Sequence, residues 1–328
     1  MKNKFILFVF LGMLTISITA QTADVDKIQI ATGGAFAKSK IAPNLSKFAI
    51  SQITIQYKLT STAKTIGKDK RSGSVAGAKL SAYLETTDGE LTTADFQEIS
   101  DSFYAYFQNR LQTNNIQTVD WSVITASEFY KGESEDDDKK GGRDENVWIT
   151  NNANNGNTIY GGGIAFAFGK MKRASKFCEE IGAPAGFFYL TVDFADLLLN
   201  MEYRVGKSDG LYYSTTTKSK KYTWAVNPTI NVGSPELALG RLSSTLIWNE
   251  KMQAEMLYLT EPILGTLKYA DNASEDASKL KNSLFAFRKE MQPVVVQTTK
   301  AKYKEAAKEA LQKYADAFVA KALLVRKK

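Results

Sequence analysis

Asp193 and Asp196 stand at the carboxyl-terminal end of the most apolar strand pattern, Phe187 to Phe194. Open α/β sheets place their ligand sites at such strand ends. A carboxylate buried there acquires a raised pKa, the property a general acid needs. The same position also suits an Asp that faces water or caps the next turn, and nothing nearby in sequence supplies a second catalytic carboxylate. The 328-residue chain contains no histidine. This removes Ser-His-Asp and Cys-His nucleophile activation, imidazole acid–base work and nearly all catalytic zinc sites. Carboxylate, lysine, tyrosine and hydroxyl chemistry remain.

Other candidate motifs fail on spacing. Gly161, Gly162 and Gly163 precede a helical pattern, and glycines there could let backbone N–H groups approach a phosphate. A P-loop ending at Gly169 and Lys170 needs Gly at 164 and Ser or Thr at 171, where the chain has Ile164 and Met171. A dinucleotide fingerprint begun at Gly161 and Gly163 would need Gly at 166, which is Phe166. The triple glycine therefore reads as a turn or bulge. Asp136 and Asp138 begin an EF-hand-like series, but its fifth position is Lys140 and its twelfth Val147, so a solvated loop is expected. Cys178 falls on the apolar stripe of its helix and reads as a small core residue. No motif implies a cofactor.

The basic charge is concentrated at one place. Of the net +7, the stretch 300–328 carries nine Lys or Arg against three acidic residues. Lys300, Lys304, Lys308, Arg326, Lys327 and Lys328 are the candidate basic contact surface. It suits an anionic envelope surface or an acidic envelope protein, with a plain solvated face as the alternative. A nucleic-acid footprint would spread along a groove with interleaved aromatics, so nucleic acid is not expected as a partner.

Periodicity supplies the elements that must position these groups. Phe48 and Ile50 alternate, Ser51 and Gln52 intervene, and Ile53, Ile55, Tyr57 and Leu59 resume on the opposite parity, which predicts a strand with a β-bulge. Ser61 to Gly77 reads as a mobile basic loop. Leu80, Ala82 and Leu84 then predict a second strand paired with the first. Thr92 or Thr93 can cap a helix carrying Phe96, Ile99, Phe103, Phe107 and Leu111 and ending at Asn114 and Asn115. Val119, Trp121 and Val123 alternate as a strand. Glu133 to Glu145 is a charged loop, and Asn151 to Asn157 an Asn-rich turn region.

Met171, Ala174, Cys178 and Ile181 predict a second helix, stopped by Gly182. It feeds the strand Phe187 to Phe194. Phe188, Leu190 and Val192 occupy one face of that strand, Phe187 and Tyr189 the other, which places it centrally in a sheet. Strand patterns continue through Leu211–Thr216, Tyr222–Ile230 and Ser243–Trp248, with a reversal at Asn249 to Lys251. Two helices are expected to follow. One carries Ala277, Leu280, Leu284, Phe287 and Met291 and stops at Pro293; the other carries Tyr303, Ala307, Ala310, Tyr314 and Phe318.

At the other end, Lys2 and Lys4 precede an apolar run from Phe5 to Ile16 and a segment ending at Ala20, the layout of a signal peptide over residues 1–20. The run is shorter than the roughly 20 residues a membrane-spanning helix needs. Cleavage there leaves no transmembrane anchor, and no cysteine at the junction accepts lipid. The lone Cys178 cannot form an intramolecular disulfide. An unlipidated protein of a bacterial periplasm, cell surface or secretome is expected, with residues 21–328 as a single α/β globular region and a β-rich subregion at 205–265.

The segment Lys172 to Phe194, KRASKFCEEIGAPAGFFYLTVDF, runs from a helix ending in Glu-Ile-Gly into a hydrophobic strand. With the order of elements around it, this resembles the periplasmic α/β domain of curli-secretion lipoproteins and the TolB N-terminal region. The resemblance implies an assembly or binding role and carries no functional residue across. The fold class is α/β, with α+β as the alternative: a mixed β-sheet with flanking helices and a long C-terminal helix. Two function classes stand. The first is an exported cell-envelope binding or assembly protein acting through surface contacts. The second is a histidine-independent hydrolase using carboxylates, for example on glycans.

Overall fold

A computed structural model describes residues 24–31, 41–68, 75–130, 152–154, 157–163, 171–209, 214–233, 244–270, 273–276, 288–290 and 293–326. The signal-peptide segment, the charged loop Glu133–Glu145 and Lys327 and Lys328 lie outside these residues. In chain order, a 3-10 turn at Val25–Lys27 precedes β1 (Ile28–Ile30). A second at Ala42–Asn44 leads into β2 (Lys47–Lys58), β3 (Thr60–Lys68) and β4 (Val75–Thr86). Helix α1 (Thr93–Thr113), β5 (Gln117–Thr118), the short α2 (Trp121–Ala126), β6 (Asn152–Asn154), β7 (Asn157–Gly163), α3 (Met171–Ile181) and β8 (Ala185–Asp193) follow. Strands then predominate: β9 (Asp196–Asp209), β10 (Ser214–Asn227), β11 (Asn231–Val232), β12 (Ser244–Trp248), β13 (Ala254–Leu259) and β14 (Ile263–Leu264). The described chain ends with β15 (Ala273–Asp276), β16 (Arg288–Glu290), β17 (Val294–Thr298) and the long helix α4 (Lys300–Arg326).

The main sheet runs in the order β1-β13-β12-β8-β2-β7-β6, with β11, β14 and β5 attached beside it. Its centre is the parallel pair β2 and β8, and the register between them shifts at Ile50/Gln52, the bulge that the parity change in β2 implies. Both faces of β8 are buried. Phe188, Leu190 and Val192 join the core beneath α1 and α4, while Phe187 and Tyr189 join Cys178, Phe177 and Trp248 under α3. The sheet is therefore covered on both sides, and the fold is α/β with mixed strands and a long C-terminal helix. Between 205 and 265 every described element is a strand.

Helix α1 begins where its caps dictate. The Thr92 side chain accepts from the Asp95 N–H, and the Asp95 carboxylate accepts from the Thr92 N–H, a capping box. Phe96, Ile99, Phe103, Phe107 and Leu111 then lie on one buried face. Helix α4 presents Tyr303, Ala307, Ala310, Tyr314 and Phe318 to the same core. Phe107 and Phe188 meet edge to face at 5.1 Å, and Phe318 packs against both at 5.2 and 5.4 Å. On β8, Gly186 lets the Phe48 ring lie against the backbone; a Cβ at that position would come within 2.2 Å of Phe48 Cζ. Helix α3 stops at Gly182, which adopts φ +62°.

Several elements differ from the sequence expectations. Ser61–Gly77, expected as a loop, supplies β3 and the start of β4 among its described residues, and these pair antiparallel. Small Ser, Thr, Ala and Gly side chains pair well enough in a ladder yet give no apolar alternation. The strand through Leu80–Leu84 pairs with β3, β16 and β17, not with β2, and forms a separate four-stranded sheet. Val119–Val123 is not a strand. The chain turns at Asp120 into α2, which buries Ile124 and leaves Val123 46% exposed, so the apolar alternation there is accidental. Gly161–Gly163 lie within β7, paired with β2, and Asn152–Asn154 and Asn157 belong to a hairpin of β6 and β7. Of the helix expected over Ala277–Met291, residues 277–287 and 291 lie outside the described residues, and Arg288–Glu290 is a strand beside β4. The reversal at Asn249–Lys251 is the β12–β13 hairpin turn.

Candidate functional site

Strands β2 and β8 run paired as far as Tyr57 and Val192, and there they part. Strand β2 passes through Leu59 into β3, which pairs with β4. Residues Val192 and Asp193 pair with β11, after which the chain continues as β9, which pairs with β10. The next residue on each central strand, Lys58 and Asp193, stands in the fork. Parallel register makes these two neighbours, and their side chains close to 2.6 Å between Nζ and Oδ2 with 2% and 6% exposure.

The ion pair is well supported. Ser61 Oγ donates to the same Asp193 oxygen at 3.2 Å and accepts from Lys58 Nζ at 3.4 Å. The other oxygen, Oδ1, accepts from the Ala195 N–H at 3.4 Å. Burial lifts the Asp193 carboxyl above the usual carboxylate range, against the opposing pull of the Lys58 ammonium and the hydrogen bonds. Tyr269 donates to the Phe194 carbonyl just beyond, and burial raises its phenol far above its ordinary value. Burial raises the Tyr303 phenol as well, and the Asp193 charge adds to the rise at both tyrosines. The Tyr303 hydroxyl is buried without a hydrogen-bond partner among the described residues.

Above this floor opens a cleft of about 600 Å³. One wall is Ser61 to Lys64 of β3, the other Ala195, Asp196 and Leu197 at the start of β9. Asn231, Glu261, Pro262 and Leu264 complete the rim with Lys27. Lys27 is held by Asp24 at 2.7 Å and donates to the Pro262 carbonyl at 3.2 Å. The charges facing solvent around the opening are Lys64, Asp196 and Glu261. Asp193 and Asp196 thus share one cleft at the carboxyl ends of the central parallel strands, with different roles: Asp193 is the buried floor and Asp196 the exposed rim. Lys58 and Ser61 were missed by sequence reasoning. Lys58 sits on a strand whose pattern makes lysine look solvent-facing, and Ser61 lies in the stretch expected as loop.

Lys300, Lys304 and Lys308 of α4 have partners within the chain. Lys304 and Lys308 each reach Glu98 of α1 at 2.6 Å, and Lys300 and Lys304 approach Asp95 at 3.6 and 3.3 Å. The Thr92 backbone bond, with help from Lys304 and Lys300, holds the Asp95 carboxyl down at about 2. Hydrogen bonds from Lys304 and Lys308 lower that of Glu98. Arg326 ends α4. These lysines clamp the two long helices together, and Arg110 does the same to Asp316 at 2.5 Å.

A smaller hollow of about 440 Å³ lies beside β17, lined by Thr87, Lys268, Tyr269, Gln297 and Lys302 among others. Cys178 is buried, donates to the Trp248 carbonyl at 3.4 Å, and has its thiol pushed up by burial to about 12. No helix among the described residues is long and apolar enough to cross a membrane, and no group of metal-ligating side chains occurs among them. Compared with known protein families, with curated proteins and with solved structures, the chain finds no match.

Proposed function

We propose that this chain is an exported cell-envelope binding or assembly protein, and that the cleft in the β2/β8 fork is its principal contact surface. The observation that carries the reading is the division of labour in the cleft. The floor charges Lys58 and Asp193 are engaged with each other and with Ser61, so they hold the fork in shape. The rim charges Lys64, Asp196 and Glu261 face solvent around an opening large enough for a ligand. Asp193 is only 4% exposed and its two oxygens are engaged by Lys58, Ser61 and the Ala195 N–H, which supports a structural role for it in the floor. The resemblance over Lys172–Phe194 implies the same kind of role. Export rests on the signal-peptide layout of residues 1–20.

The test is site-specific photo-crosslinking in the cells that make the protein. A photoreactive residue at Leu264, on the rim, should give a discrete adduct. The same residue at Met252, exposed on the β12–β13 turn and outside the cleft, should give none. Identical adducts from both positions, or none from Leu264, would defeat the reading.

A further inference from the structure

The walls of the fork cleft carry unpaired main chain. Strand β3 pairs with β4 alone among the described residues, and β9 with β10 alone on the stretch that borders the cleft. The direction of each β3 peptide follows from one hydrogen bond. Leu84 N–H donates to the Leu59 carbonyl at 3.0 Å, and Thr60 lies opposite Tyr83, so Leu59 and Leu84 form a hydrogen-bonded pair. Antiparallel residues alternate between bonding toward the partner and pointing away from it. Ser61, Ala63 and Thr65 therefore bond toward β4, and Thr62 and Lys64 point their N–H and C=O groups the other way. An independent bond agrees: Thr87 N–H, of the opposite parity on β4, goes to Thr298 of β17 on the far side.

Thr62 and Lys64 both line the cleft, and their main-chain groups have no partner among the described residues. Two donor–acceptor sets two residues apart, roughly 6.6 Å along a strand, match another extended polypeptide. The charge at the rim restricts which one. Asp196 and Glu261 both face solvent at the opening, and neither carboxylate makes an ion pair among the described residues. Leu197 and the 46%-exposed Leu264 give the same opening an apolar lip.

We infer that the cleft takes up an extended, basic polypeptide segment as an added strand on the free edge of β3. This rests on the cleft being the contact surface and specifies the chemistry of the contact. Main-chain bonds to Thr62 and Lys64 supply the register, and a basic side chain of the guest meets Asp196 and Glu261.

The probe is a capped octapeptide alternating valine with lysine, measured by fluorescence anisotropy against the intact protein. Proline at the outward positions is the discriminating change, because it deletes an N–H that the β3–β4 ladder does not use, as edge strands tolerate. Thr62→Pro and Lys64→Pro should keep the unfolding midpoint within a few degrees and weaken the probe at least tenfold. Thr62→Val, which keeps both the N–H and the rim charges, should bind within threefold of the parent. Methylating alternate amides of the probe should also cost at least tenfold, and so should replacing its lysines by glutamate. No binding of the lysine probe at millimolar concentration, or equal binding by the proline variants, would overturn strand addition. An adduct at Leu264 together with either of those failures would leave the cleft as a contact surface of another chemistry; loss of the Leu264 adduct itself would refute the underlying reading.

Discussion

Replacing Asp193 with alanine takes from the Lys58 ammonium, 2% exposed, the carboxylate that it meets at 2.6 Å. Removing one partner of a buried pair typically costs about 3–5 kcal/mol, far more than the net worth of the intact pair. For a chain of about 300 residues unfolding with roughly 2.1 cal/mol/K per residue, that is a fall of about 5–8 °C in midpoint. The double variant Lys58→Met with Asp193→Leu removes both charges and keeps most of the volume, and should return to within about 1 kcal/mol of the parent. Urea unfolding of the parent, both single variants and the double at neutral pH closes the cycle.

The same site fixes a pH dependence. An acid whose pKa is higher folded than unfolded contributes stability that is fully present below the unfolded value and is lost as pH rises through the folded one. The parent should therefore lose stability relative to Asp193→Asn as pH climbs from about 4, the ordinary aspartate value, through the raised value. A single-variant cost under about 1 kcal/mol, or a double variant as damaged as the singles, would refute the account of the fork as held by a desolvated pair.

Thr92→Ala should destabilise by about 1 kcal/mol in thermal unfolding, because the Asp95 N–H loses its cap. Gly186→Ala should cost about 3 kcal/mol or more, or prevent folding, since the added methyl meets the Phe48 ring; Phe48→Ala in the same chain should relieve that clash while exacting its own cavity cost. Cys178 should resist iodoacetamide at pH 8 in the folded protein and react only once urea unfolds it, read by intact mass. Glu98→Lys should break the bonds from Lys304 and Lys308 and lower the unfolding midpoint by a few degrees, with a smaller difference at high salt.

What the sequence makes visible here depends on the range of the interaction. Helix α1 is legible because its cap and its stripe are local, and β8 because large side chains on both faces of one segment require cover on both sides. The bulge in β2 shows as a parity change within six residues. Strand β3 is hidden because a ladder of Ser, Thr, Ala and Lys has no hydrophobic period, and α2 because a short helix holds too few apolar residues to outvote an accidental alternation. The candidate site divides along the same line. Asp193 and Asp196 mark themselves by ending an apolar strand. Lys58 becomes their neighbour only through the register of two parallel strands 135 residues apart in sequence, which no local pattern encodes. The lysines of α4 stand out in the sequence as a basic run, yet the carboxylate that engages Lys304 and Lys308 sits on α1, more than 200 positions earlier.

The position of α4 in the chain orders the events of synthesis. This helix covers Phe48, Phe103, Phe107 and Phe188, with Tyr314 and Phe318 filling the space between them. Each of these four phenylalanines is translated more than a hundred codons before Phe318. At about 5–20 residues per second, synthesis from Phe188 to Phe318 takes roughly 6 to 26 seconds, during which that face lacks this helix. The cover on this face of the central sheet is therefore completed last, and a segment made early waits for one made late. The last helix to be made is thus the one that joins the two ends of the chain in a single core.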